Sequence, residues 1–203
     1  MKTNIALLIE QAVNIIDSLN DGLRLTMEEQ QFFCDHFERE ELRKNEFAIR
    51  IGNYEKYLYF IEVGILRYWA ALNDNDPDKE VTFWFSFPGE FANSYFSLKE
   101  NVPSLINIQA LTECVIWKLP KNDLIYLYQT SLNINKIVKI VLEDALCRKI
   151  NREVRLLGSS GEELYKDLIT KNKDLIQNIP LKYIASYIGV TPQRLSQIRK
   201  KIR

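Results

Sequence analysis

The sequence predicts an α+β protein in which an antiparallel β-roll of the jelly-roll type precedes a long helix and a C-terminal helix-turn-helix. Three observations predict this fold class. Aromatic and β-branched runs separated by turn residues fill 41–119, apolar residues recur at helical spacing over 132–157, and a small-residue pattern typical of a helix-turn-helix lies within 180–203. The chain has 203 residues, of which 46% are hydrophobic and 27% are charged, so it is long enough to bury a sizeable core.

Two short helices are predicted ahead of the β-rich region. Apolar residues recur every three or four positions over 4–20, and Asn20-Asp21-Gly22 is typical of a helix stop. Thr26, followed three residues later by Glu29, resembles a capping box, which predicts a second helix to about residue 38.

Six strands are expected between residues 41 and 119, because β-branched and aromatic runs alternate there with turn signals such as Gly64, Asn73–Pro77 and Pro88-Gly89. The predicted strands cover 46–51, 57–63, 65–72, 80–86, 104–111 and 113–119. Short strands at this spacing, without helices between them, favour an antiparallel sandwich or jelly roll over β–α–β units.

The helical period returns near Pro120, and a long helix is expected from about Leu132 to Leu157. Its apolar stripe is wide enough to pack on its own β-roll on one side and on the same helix of a second chain on the other. The residues assigned to the dimer interface are Ile134, Ile137, Val138, Val141, Leu142 and Ala145. The alternative, in which a single-chain core covers the whole stripe, stays open.

A small helical unit follows the break at residues 158–161, beginning with an amphipathic helix over about 162–176. In the final segment Ala185, Gly189 and Leu195 fall four and then six residues apart, which is the spacing of a helix-turn-helix. A small residue is needed where the two helices cross, and glycine at the turn accepts a positive φ.

The second helix of this motif carries the candidate DNA-binding residues. Thr191 is placed to N-cap it, and Pro192 occupies the first position, where a missing N–H costs nothing. Glutamine pairs bidentately with adenine and arginine with guanine, whereas flanking cations suit phosphates. The residues assigned to DNA are Lys182, Thr191, Gln193, Arg194, Ser196, Gln197, Arg199, Lys200 and Lys201, with Lys182, Lys201 and Arg203 as phosphate contacts.

Charge is distributed unevenly along a chain whose formal net charge is zero. Residues 181–203 hold six of the 27 basic residues and no acidic one, which leaves 21 basic and 27 acidic residues in 1–180. A basic end on an acidic body predicts a polyanionic partner. A solvated charged tail is the alternative that charge alone leaves open.

Composition disfavours several classes of function. The single histidine, His36, excludes a site with two imidazoles and disfavours a catalytic triad or a metal-dependent jelly-roll enzyme, so we predict no enzymatic activity, metal or cofactor. Cys34, Cys114 and Cys147 are too far apart in sequence for a metal knuckle, and no apolar run approaches the roughly 18 residues of a membrane span. Since the start shows no signal-peptide pattern, we expect a reducing cytoplasm and no membrane partner.

The order of these parts resembles the Crp/Fnr family of bacterial transcription regulators. The segments that carry the resemblance are LYFIEVGILRYW, EVTFWFSFPGEF, INIQALTECVIWKL and IPLKYIASYIGVTPQRLSQIRKKI. The resemblance covers nearly the whole chain and implies a cyclic-nucleotide-binding-like β-roll at 1–130, a dimerisation helix at 131–157 and a DNA-binding domain at 158–203. It further implies a homodimer on near-palindromic double-stranded DNA, with RNA polymerase as a partner if the protein activates transcription.

The resemblance also places an effector pocket in the β-roll. Family members that bind cyclic AMP carry a Gly-Glu pair and an Arg-Ser pair; Gly89-Glu90 match the first, but the second is Pro103-Ser104 here. A buried phosphate without that arginine is poorly compensated, and Lys99 in the same loop is a flexible substitute. The candidate pocket residues are Gly89, Glu90, Lys99 and Ser104. We therefore expect no response to cyclic AMP, and either a different, unidentified small-molecule effector or none.

A competing hypothesis is a β-roll small-molecule binding module whose helical tail contacts a protein. It predicts that neutralising the C-terminal cations (Arg194, Arg199, Lys200 and Lys201) leaves function intact. The regulator hypothesis predicts that the same change abolishes DNA binding and makes binding less dependent on salt.

Overall fold

The protein is described by a computed structural model, which covers residues 4–16, 24–71, 80–171 and 176–202. Four sequence predictions lie outside these residues: the helix stop at Asn20–Gly22, the turn at Asn73–Pro77, the end of the helix expected over 162–176, and the phosphate contact of Arg203. In the described ranges, no helix combines the length and the hydropathy needed to cross a membrane.

The first two helices are α1 (Ile5–Ile16) and α2 (Met27–His36). The buried face of α1 includes Ile5 and Ile9, as its spacing predicts. The capping box is confirmed, since Glu29 N donates to Thr26 Oγ1 over 3.2 Å and Thr26 N donates to Glu29 Oε2 over 2.8 Å. The second helix ends slightly earlier than expected, because the next residues enter a β-sheet.

The described residues form eight strands in two four-stranded sheets. They are β1 (Glu38–Leu42), β2 (Phe47–Ile49), β3 (Tyr57–Val63), β4 (Leu66–Ala71), β5 (Glu80–Ser86), β6 (Phe91–Ala92), β7 (Asn107–Ala110) and β8 (Cys114–Pro120). The sheet orders are β1-β8-β3-β6 and β2-β7-β4-β5, and every pairing is antiparallel. The predicted antiparallel jelly roll is therefore confirmed.

The sequence prediction missed three elements of the β-roll: β1, β6 and the short helix α3 (Tyr95–Glu100). Four of the five residues of β1 are charged, so only its pairing with β8, for example Glu40 opposite Ile116, identifies it as an edge strand. Strand β6 has two residues, too few for a periodic pattern.

Helix α4 (Lys121–Thr130) leads into the long helix α5 (Leu132–Gly158), as predicted. Ser131 caps α5 by accepting the N–H of Ile134 over 3.0 Å, and its own hydroxyl donates to Glu29 of helix α2. Ile134 and Ile137 are buried in a core that α5 shares with α1, α2, α4 and one sheet of the β-roll. The first part of α5 is therefore held by its own chain.

The C-terminal unit contains α6 (Gly161–Lys171), α7 (Leu181–Tyr187) and α8 (Pro192–Ile202). Its apolar core extends into the β-roll, since Ile184 and Leu195 belong to the same buried cluster as Ile65 and Phe85. The β-roll and the C-terminal helices are thus packed together, although the sequence prediction treated 158–203 as a separate unit.

Candidate nucleic-acid interface and adjoining cavity

Helices α7 and α8 form a helix-turn-helix around a small crossing point. Ala185 is fully buried there, and Leu195 of α8 is fully buried with it. Gly189 has a φ of 73°, and the next residue, Val190, donates its N–H to the Ala185 carbonyl over 2.9 Å. The turn therefore uses the left-handed backbone that glycine adopts without steric cost.

The start of α8 is capped as the sequence predicts. Thr191 Oγ1 accepts the N–H of Arg194 over 3.2 Å, and Pro192 is the first residue of the helix. Capping holds the following turn in a helical conformation, which sets the direction of its outward side chains.

The outward face of α8 is polar and accessible. Gln193, Arg194, Gln197 and Lys200 are exposed, and Arg194 Nη1 lies 3.4 Å from Gln197 Oε1. Ser196 is half-buried, and its hydroxyl donates to the Pro192 carbonyl over 2.9 Å, so this proton is already used within the helix. The face carries donors and acceptors of the kind that recognise base edges.

Two predicted phosphate contacts are paired with carboxylates of the same chain. Lys201 Nζ lies 2.8 Å from Glu162 Oε2, and Lys182 Nζ lies 4.0 Å from Glu80 Oε1. Hydrogen bonds from Lys166 and Lys201 lower the pKa of Glu162 to about 2. Arg199 and Lys200 are exposed, and both belong to the basic last turn of α8.

A buried arginine fixes the helix-turn-helix on the β-roll. Arg67 on β4 has a fully buried side chain, which donates to Thr82 Oγ1 over 2.7 Å and to Glu80 Oε2 over 3.1 Å. Its guanidinium lies 3.7 Å from the ring centroid of Tyr183 on α7. Close by, Thr82 N donates to Ser186 Oγ over 2.9 Å. The sequence carries no signal for this contact, because its partners lie more than 100 residues apart.

Most residues predicted for the dimer interface pack against their own protomer. Ile134 and Ile137 are buried in the protomer core, and Val138 and Val141 are half-buried against that same core. Ala145 is half-buried too, and of the predicted residues only Leu142 is exposed. Apart from Leu132 at its first position, the exposed apolar residues of α5 lie nearer the end of the helix: Leu142, Leu146, Ile150, Val154 and Leu157. The helical period identified the stripe, but not which part of it the β-roll covers.

A cavity of about 440 Å³ lies between the β-roll and α5. Gly89 and Glu90 line it, as predicted, together with Tyr68 and Trp84 of the β-roll and Ala145 of α5. Its volume lies in the range of small-molecule binding sites.

The other two predicted pocket residues lie outside this cavity's lining. Lys99 is exposed at the end of α3 and pairs with Glu100 over 3.3 Å. Ser104 is buried; its hydroxyl donates to the Ile106 carbonyl over 2.8 Å and lies 2.9 Å from Ser94 Oγ, so it supports the loop from within. Lys99 and Ser104 follow Gly89-Glu90 closely in sequence, but they do not line the same cavity.

The cations that line this cavity, Arg148, Lys149 and Arg152, all come from α5. Arg148 Nη1 lies 2.5 Å from Glu90 Oε1, and Arg148 Nε lies 2.8 Å from Asp144 Oδ2. The guanidinium also lies 5.6 Å from the ring centroid of Trp84. Both carboxylates raise the pKa of Arg148 against the opposing effect of burial. The sequence analysis missed Arg148; its only signal was a place one turn beyond Ala145 on a helix expected to face the β-roll.

Comparisons with known proteins identify the fold. Residues 39–131 match the family model of the cyclic nucleotide-binding domain. No curated protein sequence matches the chain. The structure resembles the c-di-GMP-responsive global regulator CLP of Xanthomonas campestris, with a TM-score of 0.66 and 18% identity over 85% of this chain and 89% of CLP.

Two further solved structures show the same likeness. FixK2 of Bradyrhizobium japonicum has a TM-score of 0.67 at 16% identity, covering 82% of this chain and 84% of FixK2. A transcriptional regulator of the CRP family from Thermus thermophilus has a TM-score of 0.65 at 17% identity, covering 81% of this chain and 84% of the regulator. At these identities the likeness concerns the fold.

Proposed function

We propose that this chain, which carries a cyclic nucleotide-binding domain at residues 39–131 and has the fold of the Crp/Fnr transcription regulators, is a sequence-specific DNA-binding regulator that acts as a homodimer. The observation that carries the proposal is the outward face of α8. It is exposed, capped and basic, and residues 181–203 contain no carboxylate side chain that would repel phosphate.

The homodimer is supported by the exposed apolar stripe on α5. Leu142, Leu146, Ile150, Val154 and Leu157 are spaced by four, four, four and three residues, so they lie on one side of the helix. Their 16-residue span corresponds to about 24 Å of helix. Pairing the stripes of two protomers would bury them and place the two α8 helices on one DNA duplex.

The geometry of Glu90 supports a regulator that does not respond to cyclic AMP. In the relatives that bind it, the corresponding glutamate takes a ribose hydroxyl and an arginine takes the phosphate. Here one oxygen of Glu90 is paired with Arg148, the other accepts the N–H of Phe87, and Pro103 stands in place of that arginine. The effector, if there is one, therefore has a different chemistry.

The test is selection of random duplex DNA on the purified protein without added ligand. The expected product is an inverted repeat whose half-sites lie about one helical turn, roughly 34 Å, apart. Sequence-independent binding that persists when the selection is repeated with a cell-metabolite extract would contradict the proposal, and an absence of all DNA binding would favour a β-roll module whose helical tail contacts a protein.

Two substitutions distinguish base contacts from phosphate contacts. Arg194→Gln should weaken binding to the selected site by about 10- to 100-fold and relax specificity at one position. Lys200→Gln should weaken all DNA binding and reduce the salt slope by about one. Lys136→Gln, an exposed lysine on the first half of α5, is the matched control and should change neither. An activator would also contact RNA polymerase, and we assign no surface to that contact.

A further inference from the structure

A second cavity, of about 200 Å³, lies where the β-roll meets α5, α6 and α7. It adjoins the larger cavity, because four residues line both of them: Trp84, Glu90, Arg148 and Arg152. The two cavities therefore lie side by side, and together, from the β-roll to the helix-turn-helix, they are called the cleft below.

Three arginines and two carboxylates line the smaller cavity. Arg148, Arg152 and Arg155 occupy positions four and then three apart on α5, so they share one face of the helix. Arg148 pairs with Glu90 over 2.5 Å, and Arg155 pairs with Asp167 over 3.0 Å. Arg148 also pairs with Asp144, which lies outside the lining, so of these three arginines only Arg152 has no ion pair among the described residues.

The guanidinium of Arg152 contacts a backbone carbonyl instead of a carboxylate. Its Nη2 donates to the Tyr187 carbonyl over 2.9 Å, and its Nε is buried without a hydrogen-bond partner. Among the described residues no carboxylate lies within ion-pair distance of it. A buried guanidinium nitrogen without a partner is costly unless something supplies an acceptor.

The surroundings of Arg152 suit an aromatic or apolar body. The guanidinium lies 4.5 Å from the ring centroid of Tyr187, and Trp84 and Phe87 line the same cavity. A planar carboxylate or a phosphate accepts two parallel hydrogen bonds from a guanidinium, which a neutral group of the same shape does not.

We propose that this cleft binds a small organic anion, a carboxylate or phosphate group on an aromatic or apolar body, with Arg152 as the residue that receives its negative charge. The inference rests on the proposed function in one respect, since it makes this anion the effector of the regulator. Arg152 donates a hydrogen bond to the carbonyl of Tyr187, the last residue of α7. The anion therefore binds at the contact between α5 and the helix-turn-helix.

The test is isothermal titration calorimetry of the full chain without DNA. The probes are 1-naphthyl phosphate and 1-naphthoate, with 1-naphthamide as the neutral comparison. Wild type should bind at least one anion and should bind the amide at least tenfold more weakly. Binding of only one anion would identify the preferred head group and would support the proposal.

Three substitutions test whether Arg152 is the residue that binds the negative charge of the anion. Arg152→Gln should weaken anion binding about tenfold or more, and Arg152→Lys should retain part of it, because charge remains while the planar fork is lost. Lys136→Gln removes a charge from an exposed position on the same helix, outside both cavities, and should leave affinity unchanged. Circular dichroism would verify that each variant is folded.

Glu90→Gln adds a test with an opposite sign. Removing this carboxylate frees Arg148, so binding of the two naphthyl anions should strengthen.

Absence of heat with both anions, equal affinity for the amide, or unchanged anion binding by Arg152→Gln would overturn the inference. Because no DNA is present, none of these outcomes bears on the proposed DNA binding, which the duplex selection tests separately.

Discussion

At the residue scale, Glu162 connects the DNA-binding surface to the rest of its domain. It lies in the first turn of α6, with Lys166 Nζ at 2.8 Å and Lys201 Nζ at 2.8 Å, and these hydrogen bonds lower its pKa from 4.5 to about 2. Because the folded pKa is depressed, the stabilisation is complete above about pH 4.5 and is lost as pH falls through about 2.

We predict that Lys201→Gln raises the pKa of Glu162 toward 4.5, since one of its two ammonium partners is removed. NMR titration of the side-chain carboxyl carbons measures this directly. Lys200→Gln is the matched control, because Lys200 is the exposed neighbour on the same turn. The same pKa for Glu162 in both variants would show that the contact with Lys201 does not form in solution.

The ion pair with Glu162 affects the predicted phosphate contact of Lys201. Its ammonium must leave Glu162, or bridge it, in order to reach a phosphate oxygen. Residues 181–203 contain no acidic residue. The carboxylate that pairs with Lys201 belongs to Glu162, which tertiary packing brings close to it.

At the element scale, the turn of the helix-turn-helix depends on one glycine. Gly189 has a φ of 73°, and a Cβ added there would meet no atom within 4 Å. A substitution therefore costs backbone strain alone. We predict that Gly189→Ala lowers the free energy of unfolding by about 1 kcal/mol, measured by urea denaturation.

Gly158→Ala is the opposite control. Gly158 is the last residue of α5, and a Cβ there also meets no atom within 4 Å, but its φ is not positive. Alanine is favoured over glycine in a helix, so this change should leave stability the same or raise it. If Gly158→Ala and Gly189→Ala destabilised the protein equally, the positive φ of Gly189 would not explain the effect.

The exposed apolar stripe on the second half of α5 is the predicted dimer contact. Ile150 lies in the middle of the exposed stripe and is 51% exposed in the single chain. Ile150→Asp should therefore leave the protomer folded while converting a dimer to a monomer, because it places two carboxylates in an apolar contact. Sedimentation equilibrium gives the mass of each species.

Leu105→Asp is the matched control for this change, because Leu105 is 70% exposed in a loop before β7. It should leave the dimer intact. A monomeric wild type, or a dimeric Ile150→Asp variant, would exclude this stripe as the dimer contact.

At the scale of the whole molecule, the buried Arg67 determines how the β-roll and the helix-turn-helix meet. Burial lowers the pKa of Arg67, and its hydrogen bond to Glu80 opposes that effect. Since Glu80 is the carboxylate nearest this buried charge, we predict that Glu80→Gln costs about 2 kcal/mol, below the full value for a buried pair because Glu80 is partly exposed.

The expected effect on domain docking is faster hydrogen exchange in α7, which packs on β5 and contributes Tyr183 and Ser186 to this contact. Hydrogen-exchange mass spectrometry of the segment 181–190 measures it. Glu100→Gln removes an exposed carboxylate whose ion pair among the described residues is with its neighbour Lys99, and it should change neither stability nor exchange. Unchanged exchange in Glu80→Gln would show that docking does not depend on the Arg67 pair.

The class of each major part follows from the amino-acid sequence. Alternation and turn residues in 41–119 identified an antiparallel β-roll, the helical period identified α5, and Ala185 with Gly189 identified the helix-turn-helix. These features are local, because pleat, helical repeat and turn geometry each restrict the residues within one element. The cap by Thr191 is local for the same reason.

Which apolar surfaces are exposed and which charged groups form pairs depends on tertiary packing. Ile134 and Leu146 belong to one apolar stripe, but the β-roll and α1 cover the first and leave the second exposed. Edge strand β1 exists because β8 offers unpaired backbone groups, and Arg148 reaches Glu90 across 58 residues of chain. Such contacts depend on how elements pack, and packing brings together residues whose separation in sequence carries no periodic signal.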